Sequence, residues 1–312
     1  MTAIDAEPRR EVLKAADEHE IHVQSWLPSR DVTAVIQVLH GLGEHADRYA
    51  RFAATATHRG YALYVHDHRG HGSRAAQAGY FSDHSGWQCL VEDARRVNLL
   101  IRRRHADRVI VLLGHSMGSF LAQTYAMRHG GELSGLILSA STWPSRLQLI
   151  PARMLAQLET WRRGRRGTSA LLDKLGFGNY NKSFEPARTG FDWLSRDAQE
   201  VDKYIADPRC GGPYTCGLWQ DLLDGLLELS NEKSLAAIPA TLPIMITGGS
   251  TDPIGGDTGM SQLAAHYGEA GHQHIKVKIY SGGRHEMLNE INRDQVSRDW
   301  LDWIGATICN ER

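Results

Sequence analysis

Six short apolar runs, at residues 35–39, 62–65, 109–113, 136–138, 242–246 and 275–279, have the length of strands rather than helices. From the second run to the fourth, the intervening segments carry helical spacing. Leu90, Ala94, Val97 and Ile101 fall on one face, with Arg95, Arg96 and Arg102 on the other. Uninterrupted apolar strands alternating with amphipathic helices predict a mostly parallel sheet flanked by helices on both faces. Ile21, Val23 and Ser25 alternate with His22 and Gln24, and Ile275, Val277 and Ile279 with Lys276 and Lys278. Such alternation predicts half-exposed strands at the two edges of the sheet.

The strand and helix rhythm stops after Leu138 and resumes at Leu242. Residues 143–238 are therefore predicted to form a helical lid inserted before the late strands, and residues 1–142 and 239–312 the α/β core. One lid helix is legible from Leu218, Leu222, Leu226 and Leu229, widened by Trp219, Leu223 and Leu227. Leu147, Ile150, Met154, Leu158 and Trp161 share a helical spacing that predicts packing within the lid, a membrane surface being the alternative resting place. The basic run from Arg162 to Arg166 reads as a solvated loop between lid helices.

Charge and cysteine usage narrow the partners. With 35 Lys and Arg against 36 Asp and Glu, the net charge of −1 argues against nucleic acid or an anionic membrane as the main partner. No run approaches the roughly 18 apolar residues of a membrane span, and the first ten residues lack the pattern of a signal peptide. Cys89, Cys210, Cys216 and Cys309 are scattered with no C-x-x-C pair, which predicts reduced thiols, a cytoplasmic location and neither a disulfide framework nor a zinc site.

Chemistry concentrates where strands end. Gly114-His115-Ser116-Met117-Gly118 follows the strand at 109–113 and precedes a predicted helix at 119–128. That is the setting of a serine held at positive φ above a sheet. A serine hydroxyl needs a base, and the base an acid to fix its tautomer. Chain order points to Asp252, after the strand at 242–246, and His285, after the strand at 275–279. Asp257 competes for the acid but reads as a helix N-cap. His266, His272 and His274 compete for the base but precede or start the last strand, at the wrong end of the sheet. Glu286 and Glu290 read as charges in the first turn of a helix.

An acyl-transfer site also needs N–H groups aimed at the oxyanion. Met117 N–H supplies one, and Leu42 N–H, in the loop His40-Gly41-Leu42-Gly43-Glu44-His45, the other. His40 and His45 lack the carboxylate or thiol spacing of a metal site, so no metal is expected. Asp67-His68-Arg69-Gly70-His71-Gly72-Ser73 has no phosphate-loop pattern and reads as support for the same rim.

In order along residues 16–304, the His40 loop with Arg48-Tyr49, the Asp67 loop and the Gly114 turn resemble the monoacylglycerol lipase and lysophospholipase branch of the α/β-hydrolase superfamily. The resemblance implies the α/β-hydrolase fold and cleavage of a monoacyl glycerol or glycerophosphate ester through an acyl-enzyme. Ser116, Asp252 and His285 would be its triad and Leu42 and Met117 its oxyanion donors, with a lipid or acyl ester as partner and no cofactor. Peripheral contact with a membrane through the lid would accompany a cytoplasmic location. It also implies that Cys210 and Cys216, in and after Asp207-Pro208-Arg209-Cys210, lie near the acyl pocket. Two further readings share the fold. An aminopeptidase of the proline-iminopeptidase type would hold a free amino group with lid carboxylates, drawn from Glu159, Asp173, Glu185, Asp192, Asp197 and Glu200. A ligand-binding receptor would keep the fold without turnover. Nothing in the sequence indicates an oligomeric state.

Overall fold

The computed structural model describes residues 7–309. Its strands are β1 (Arg9–Lys14), β2 (Glu20–Trp26), β3 (Ala34–Leu39), β4 (Tyr61–His66), β5 (Val109–His115), β6 (Gly135–Ser139), β7 (Ile244–Gly249) and β8 (Ile275–Tyr280). They form one sheet in the order β1-β2-β4-β3-β5-β6-β7-β8. The pairs β1·β2 and β2·β4 are antiparallel and every pair from β4·β3 to β7·β8 is parallel. This is an α/β-hydrolase fold.

The central strands are buried on both sides, which is why they read as unbroken apolar runs rather than alternating ones. Val35, Leu112, Leu136 and Ile246 face one core, under helices α2 (Gly86–Arg104), α3 (Met117–His129) and α9 (Gly256–Glu269). Ile36, Leu63, Val111 and Ile137 face the other, under α1 (Ala50–His58) and α10 (Arg293–Trp303). Gln37 is fully buried in β3, yet donates to Ala94 O (2.8 Å) and accepts from Asn98 (2.9 Å), so its amide costs little.

Only one of the two expected edges is an edge. β8 is, but β2 lies inside the sheet, covered by β1. β1 carries Arg9, Arg10, Glu11 and Lys14 and is largely exposed, with only Leu13 packed on the core, so it has no apolar period for a pattern to reveal.

The chain between β6 and β7 is helical: α4 (Arg146–Arg163), α5 (Ala170–Phe177), α6 (Ala198–Ala206), α7 (Cys216–Leu229) and α8 (Glu232–Leu235). Among the described residues it adds no strand to the sheet, only an isolated bridge between Thr168 and Thr215. On α7, Leu218, Leu222 and Leu229 are buried as their spacing predicts, and Leu226 is partly so.

Helix α4 overturns its prediction. Leu147, Met154 and Trp161 are 86%, 65% and 82% exposed, and Ile150 and Leu158 also face outward. The inward face of α4 is made instead by Leu149, the small Ala156, and Glu159, with Arg153 paired to Asp224 of α7 (2.5 Å). Leu155 also packs inward beside these groups, so a short apolar face with small and polar groups makes that contact and the predicted stripe is left over. The basic run is largely exposed, as expected, but Arg162 and Arg163 form the end of α4 rather than a loop, and its charges are paired. Arg162 and Arg163 close on the buried Glu159 (3.0 and 2.7 Å), Arg165 on Asp221 (2.6 Å), and Arg166 on Asp83 (3.1 Å) and the Tyr80 ring.

Candidate active site

Ser116 stands between β5 and α3 with φ 52° and ψ −120°, a conformation that a side chain adopts only under constraint. Its glycine neighbours supply the space. A Cβ on Gly114 would lie 2.3 Å from Gly118 O, and one on Gly118 would lie 2.0 Å from Leu39 O and 2.5 Å from His40 O. The helix carrying the serine therefore presses directly on the strand that feeds the His40 loop.

His285 and Asp252 follow β8 and β7, and their side chains meet: His285 Nδ1 lies 2.9 Å from Asp252 Oδ1, both residues buried. A carboxylate acceptor puts the ring proton on Nδ1 and leaves Nε2 free as a base. Burial opposes a charge on His285, but the Asp252 carboxylate and its hydrogen bond, with Glu286 and Glu44 nearby, outweigh it and raise the pKa above the ordinary histidine value. A cavity of about 380 Å³ is lined by Ser116, His285, Gly41 and Leu42 together, with Asp252 beneath His285.

The competing residues lie elsewhere. Asp257 is exposed and sits inside the first turn of α9, where the capping residue is Gly255, so the expected N-cap is not formed. His266 stacks on Trp143, His272 contacts Leu235 O, and His274 stands just before β8. None of the four lines the cavity.

The peptide bearing Leu42 N–H is fixed from behind. His40 Nδ1 donates to Gly41 O (2.8 Å), while His40 Nε2 accepts from His68 N–H (2.9 Å), so the ring needs its proton on Nδ1. Burial keeps His40 neutral, with its pKa lowered to about 4. Gly43 is held on both sides: its N–H donates to His71 Nε2 (3.1 Å), and its carbonyl accepts from Gly211 N–H (2.8 Å). The Asp67 to Ser73 loop thus supports the rim as its sequence predicts. Met117 opens α3, so its N–H belongs to the first turn, which has no intrahelical acceptors.

Glu286 and Glu290 are misread by their sequence context, because α10 starts only at Arg293. Glu290 is fully buried and gathers Arg196 Nε (2.9 Å) and the N–H groups of Arg196 and Arg284 (both 3.0 Å). Glu286 lines the cavity with Glu44, and Arg48 bridges the two. The signals available in sequence were the i,i+4 spacing of Glu44 and Arg48 and the adjacency of Glu286 to His285.

Cys216 is buried and Cys210 half-buried beside Trp193, Leu194 and Tyr204; neither lines the cavity. Burial raises the Cys210 thiol to about 12. His45, Asp207 and Cys210 bring donor atoms within 4.8 Å of one another. Arg209 already occupies the Asp207 carboxylate (2.7 Å), and a protonated thiol is a poor ligand, so the cluster does not suit a cation.

The sequence matches the family described as Serine aminopeptidase, S33, over residues 30–292. The chain belongs to this family. Within the serine aminopeptidase family its relatives include a monoacylglycerol lipase of Mycolicibacterium smegmatis, 27% identical over 89% of this chain and 90% of that protein. A monoglyceride lipase of Mus musculus is 28% identical over 94% and 89%. Among solved structures, a thermostable carboxyl esterase from Bacillus coagulans in complex with glycerol superimposes with a TM-score of 0.88 at 25% identity, covering 97% of this chain and 99% of the other. No helix among the described residues is long and apolar enough to cross a membrane.

Proposed function

We propose that the protein hydrolyses carboxylic esters bearing a single acyl chain, monoacylglycerol foremost, with lysophospholipid as the related substrate. The observation that carries this reading is the His285 to Asp252 hydrogen bond at a cavity that also takes in the strained Ser116. Ser116 Oγ attacks the ester carbonyl as His285 Nε2 takes its proton, and the oxyanion accepts from Leu42 and Met117 N–H. Collapse expels the alcohol, which takes that proton from His285. Water, deprotonated by the same ring, then attacks the acyl-enzyme, releases the acid and restores Ser116.

The apolar wall formed by Phe177, Phe191, Trp193, Leu194 and Ile254 suits an acyl chain. The names of the lipase relatives and the esterase likeness support the same substrate class. Residues 143–238 act as a cap over the cavity. The exposed stripe of α4, joined by Leu171 and Leu175 of α5, supports contact of that cap with a membrane surface from a cytoplasmic location.

The peptidase reading finds less support. Glu159, Asp197 and Glu200 are spent on arginines, Asp192 accepts from the Arg188 and Thr189 N–H groups, and Glu185 is exposed. Asp173 alone of the six lines the cavity, where it accepts from Trp219 Nε1 (2.8 Å). Hydrolysis of monoacylglycerol, lysophosphatidylcholine, p-nitrophenyl esters and proline nitroanilide by wild type and Ser116→Ala tests the reading. Cleavage of monoacyl lipid that vanishes in the variant is expected. Cleavage of the anilide alone, or turnover that survives in Ser116→Ala, overturns it.

A further inference from the structure

At the wall of the cavity lies a buried group of charges that the proposed reaction steps do not use. Arg48 sends Nη1 and Nη2 to the two oxygens of Glu286 (2.5 and 2.6 Å), and Nη1 also to Glu44 Oε2 (3.1 Å). Glu44 Oε1 accepts from Gly41 N–H (2.6 Å) and from Tyr49 OH (3.0 Å), and Glu286 Oε2 accepts from Asn289 Nδ2 (3.0 Å). Both carboxylates are buried, and the Arg48 side chain is 13% exposed. Two carboxylates share one guanidinium, so the group holds one excess negative charge out of contact with bulk water. Burying uncompensated charge is unfavourable. It is tolerated where the charge answers another that forms during the reaction.

The geometry points to that other charge. Glu286 is the residue after His285, and its N–H donates to Leu194 O (2.8 Å). Glu44 belongs to the loop that carries Leu42. The remaining groups around the His285 ring are Asp252 on Nδ1, the His115 ring at 4.9 Å, and Trp193 from the cap at 4.9 Å, with Tyr180 beyond Trp193. Burial keeps His115 low in pKa and therefore neutral. Arg284, the other neighbour in sequence, points away, toward Asp192 O, Ser195 O and the Phe184 ring. Arg51, behind Asn289, is matched by Glu200 (2.7 Å). Among the described residues no cation besides Arg48 offsets the two carboxylates.

We propose that Glu286 and Glu44, gripped by Arg48, are positioning residues of the hydrolysis: their excess negative charge favours the His285 imidazolium, and Arg48 ties the His285 loop to the loop presenting Leu42 N–H. The proposal rests on the ester-hydrolase reading above. It explains why the cavity wall of an enzyme for apolar acyl chains includes two carboxylates. It also gives the Glu44-to-Arg48 spacing in the His40 motif a role distinct from coil-to-helix packing. The protonation steps are unchanged: His285 takes the Ser116 proton and returns it to the leaving alcohol, and neither carboxylate exchanges a proton.

The test uses the full chain with a soluble p-nitrophenyl ester, following kcat and kcat/KM from about pH 5 to about pH 9. Wild type and Ser116→Ala are run first, so that a failure of the hydrolase reading is seen separately. In Glu286→Gln the acid limb of kcat/KM is expected to move down by roughly half a unit or more. The plateau of kcat should fall about tenfold, with KM nearly unchanged. Glu44→Gln, whose amide oxygen still accepts from Gly41 N–H, should move the limb the same way by less, and it carries the test if Glu286→Gln does not fold. A folded variant with lower stability and an unmoved acid limb would overturn the proposal, because a purely structural clasp changes stability without changing the base. An upward movement in either variant would overturn it too.

Discussion

Two walls face each other across the cavity, and they are built on opposite principles. The wall that descends from the sheet is polar and closely held: the peptides on either side of Leu42 have partners, from His40 on Gly41 O to His71 and Gly211 on Gly43. The wall from the inserted helices is aromatic. The Phe177 ring contacts both Trp193 and Tyr214, and on α4 of the same inserted segment Leu147, Met154 and Trp161 are left in water. Directional bonds hold atoms within tenths of an ångström, as bond-making requires. Ring contacts hold shape and area, which is what sorting apolar chains requires.

Breaking the polar wall should have the largest consequence. Asp252→Asn is expected to lower kcat by about 10⁴ by stranding His285 in the wrong tautomer, whereas Asp257→Asn should stay within about twofold of wild type. Steady-state assays of the two side by side decide it, and equal small losses would refute the assignment of the acid.

Acid should dismantle the same wall next. Burial lowers the pKa of His40 and His71 to about 4 and of His66 to about 3. In the unfolded chain these rings take protons near the ordinary value of about 6.5. Stability is therefore complete above that value and lost progressively as pH falls toward 4, at about 1.4 kcal/mol for each unit of depression in each ring. Urea unfolding at pH 7 and pH 5 should show a fall of at least about 2 kcal/mol, and equal midpoints would contradict it.

The aromatic wall and its outer face should give the smaller effects. Met154→Ser with Trp161→Ser is expected to slow turnover of monoacylglycerol presented in zwitterionic vesicles by about fivefold to tenfold, and to leave soluble short-chain esters within about twofold. Equal rates on both substrates would remove the membrane role. Smallest of all, alkylation of Cys210 by a thiol reagent at neutral pH should run at least about tenfold slower than that of a free cysteine, because burial holds its thiol near 12. Rapid inactivation that a Cys210→Ser variant escapes would show the burial to be wrong.

Legibility followed the same division. Strands buried on both faces announced themselves, and with them the mostly parallel sheet and the positions after β5, β7 and β8 where Ser116, Asp252 and His285 stand. β1 stayed hidden because an edge strand of Arg, Glu and Lys carries no apolar period, and its presence turned β2 from an edge into an interior strand. The α4 stripe misled because periodicity marks an apolar face without saying what covers it. Glu286 was misplaced because a carboxylate before a helix looks the same in sequence whether it meets water or the guanidinium of Arg48, 238 positions away.

A single missing methyl group sets the scale of the whole arrangement. Gly118 lets α3 rest on the end of β3, and the two surfaces so joined present Met117 N–H and Leu42 N–H. Any side chain at 118 would act as a wedge, 2.0 Å from Leu39 O, driving the two donors apart. The glycine serves as a ruler, and it fixes the gauge of the proposed oxyanion hole by contributing no atoms to it.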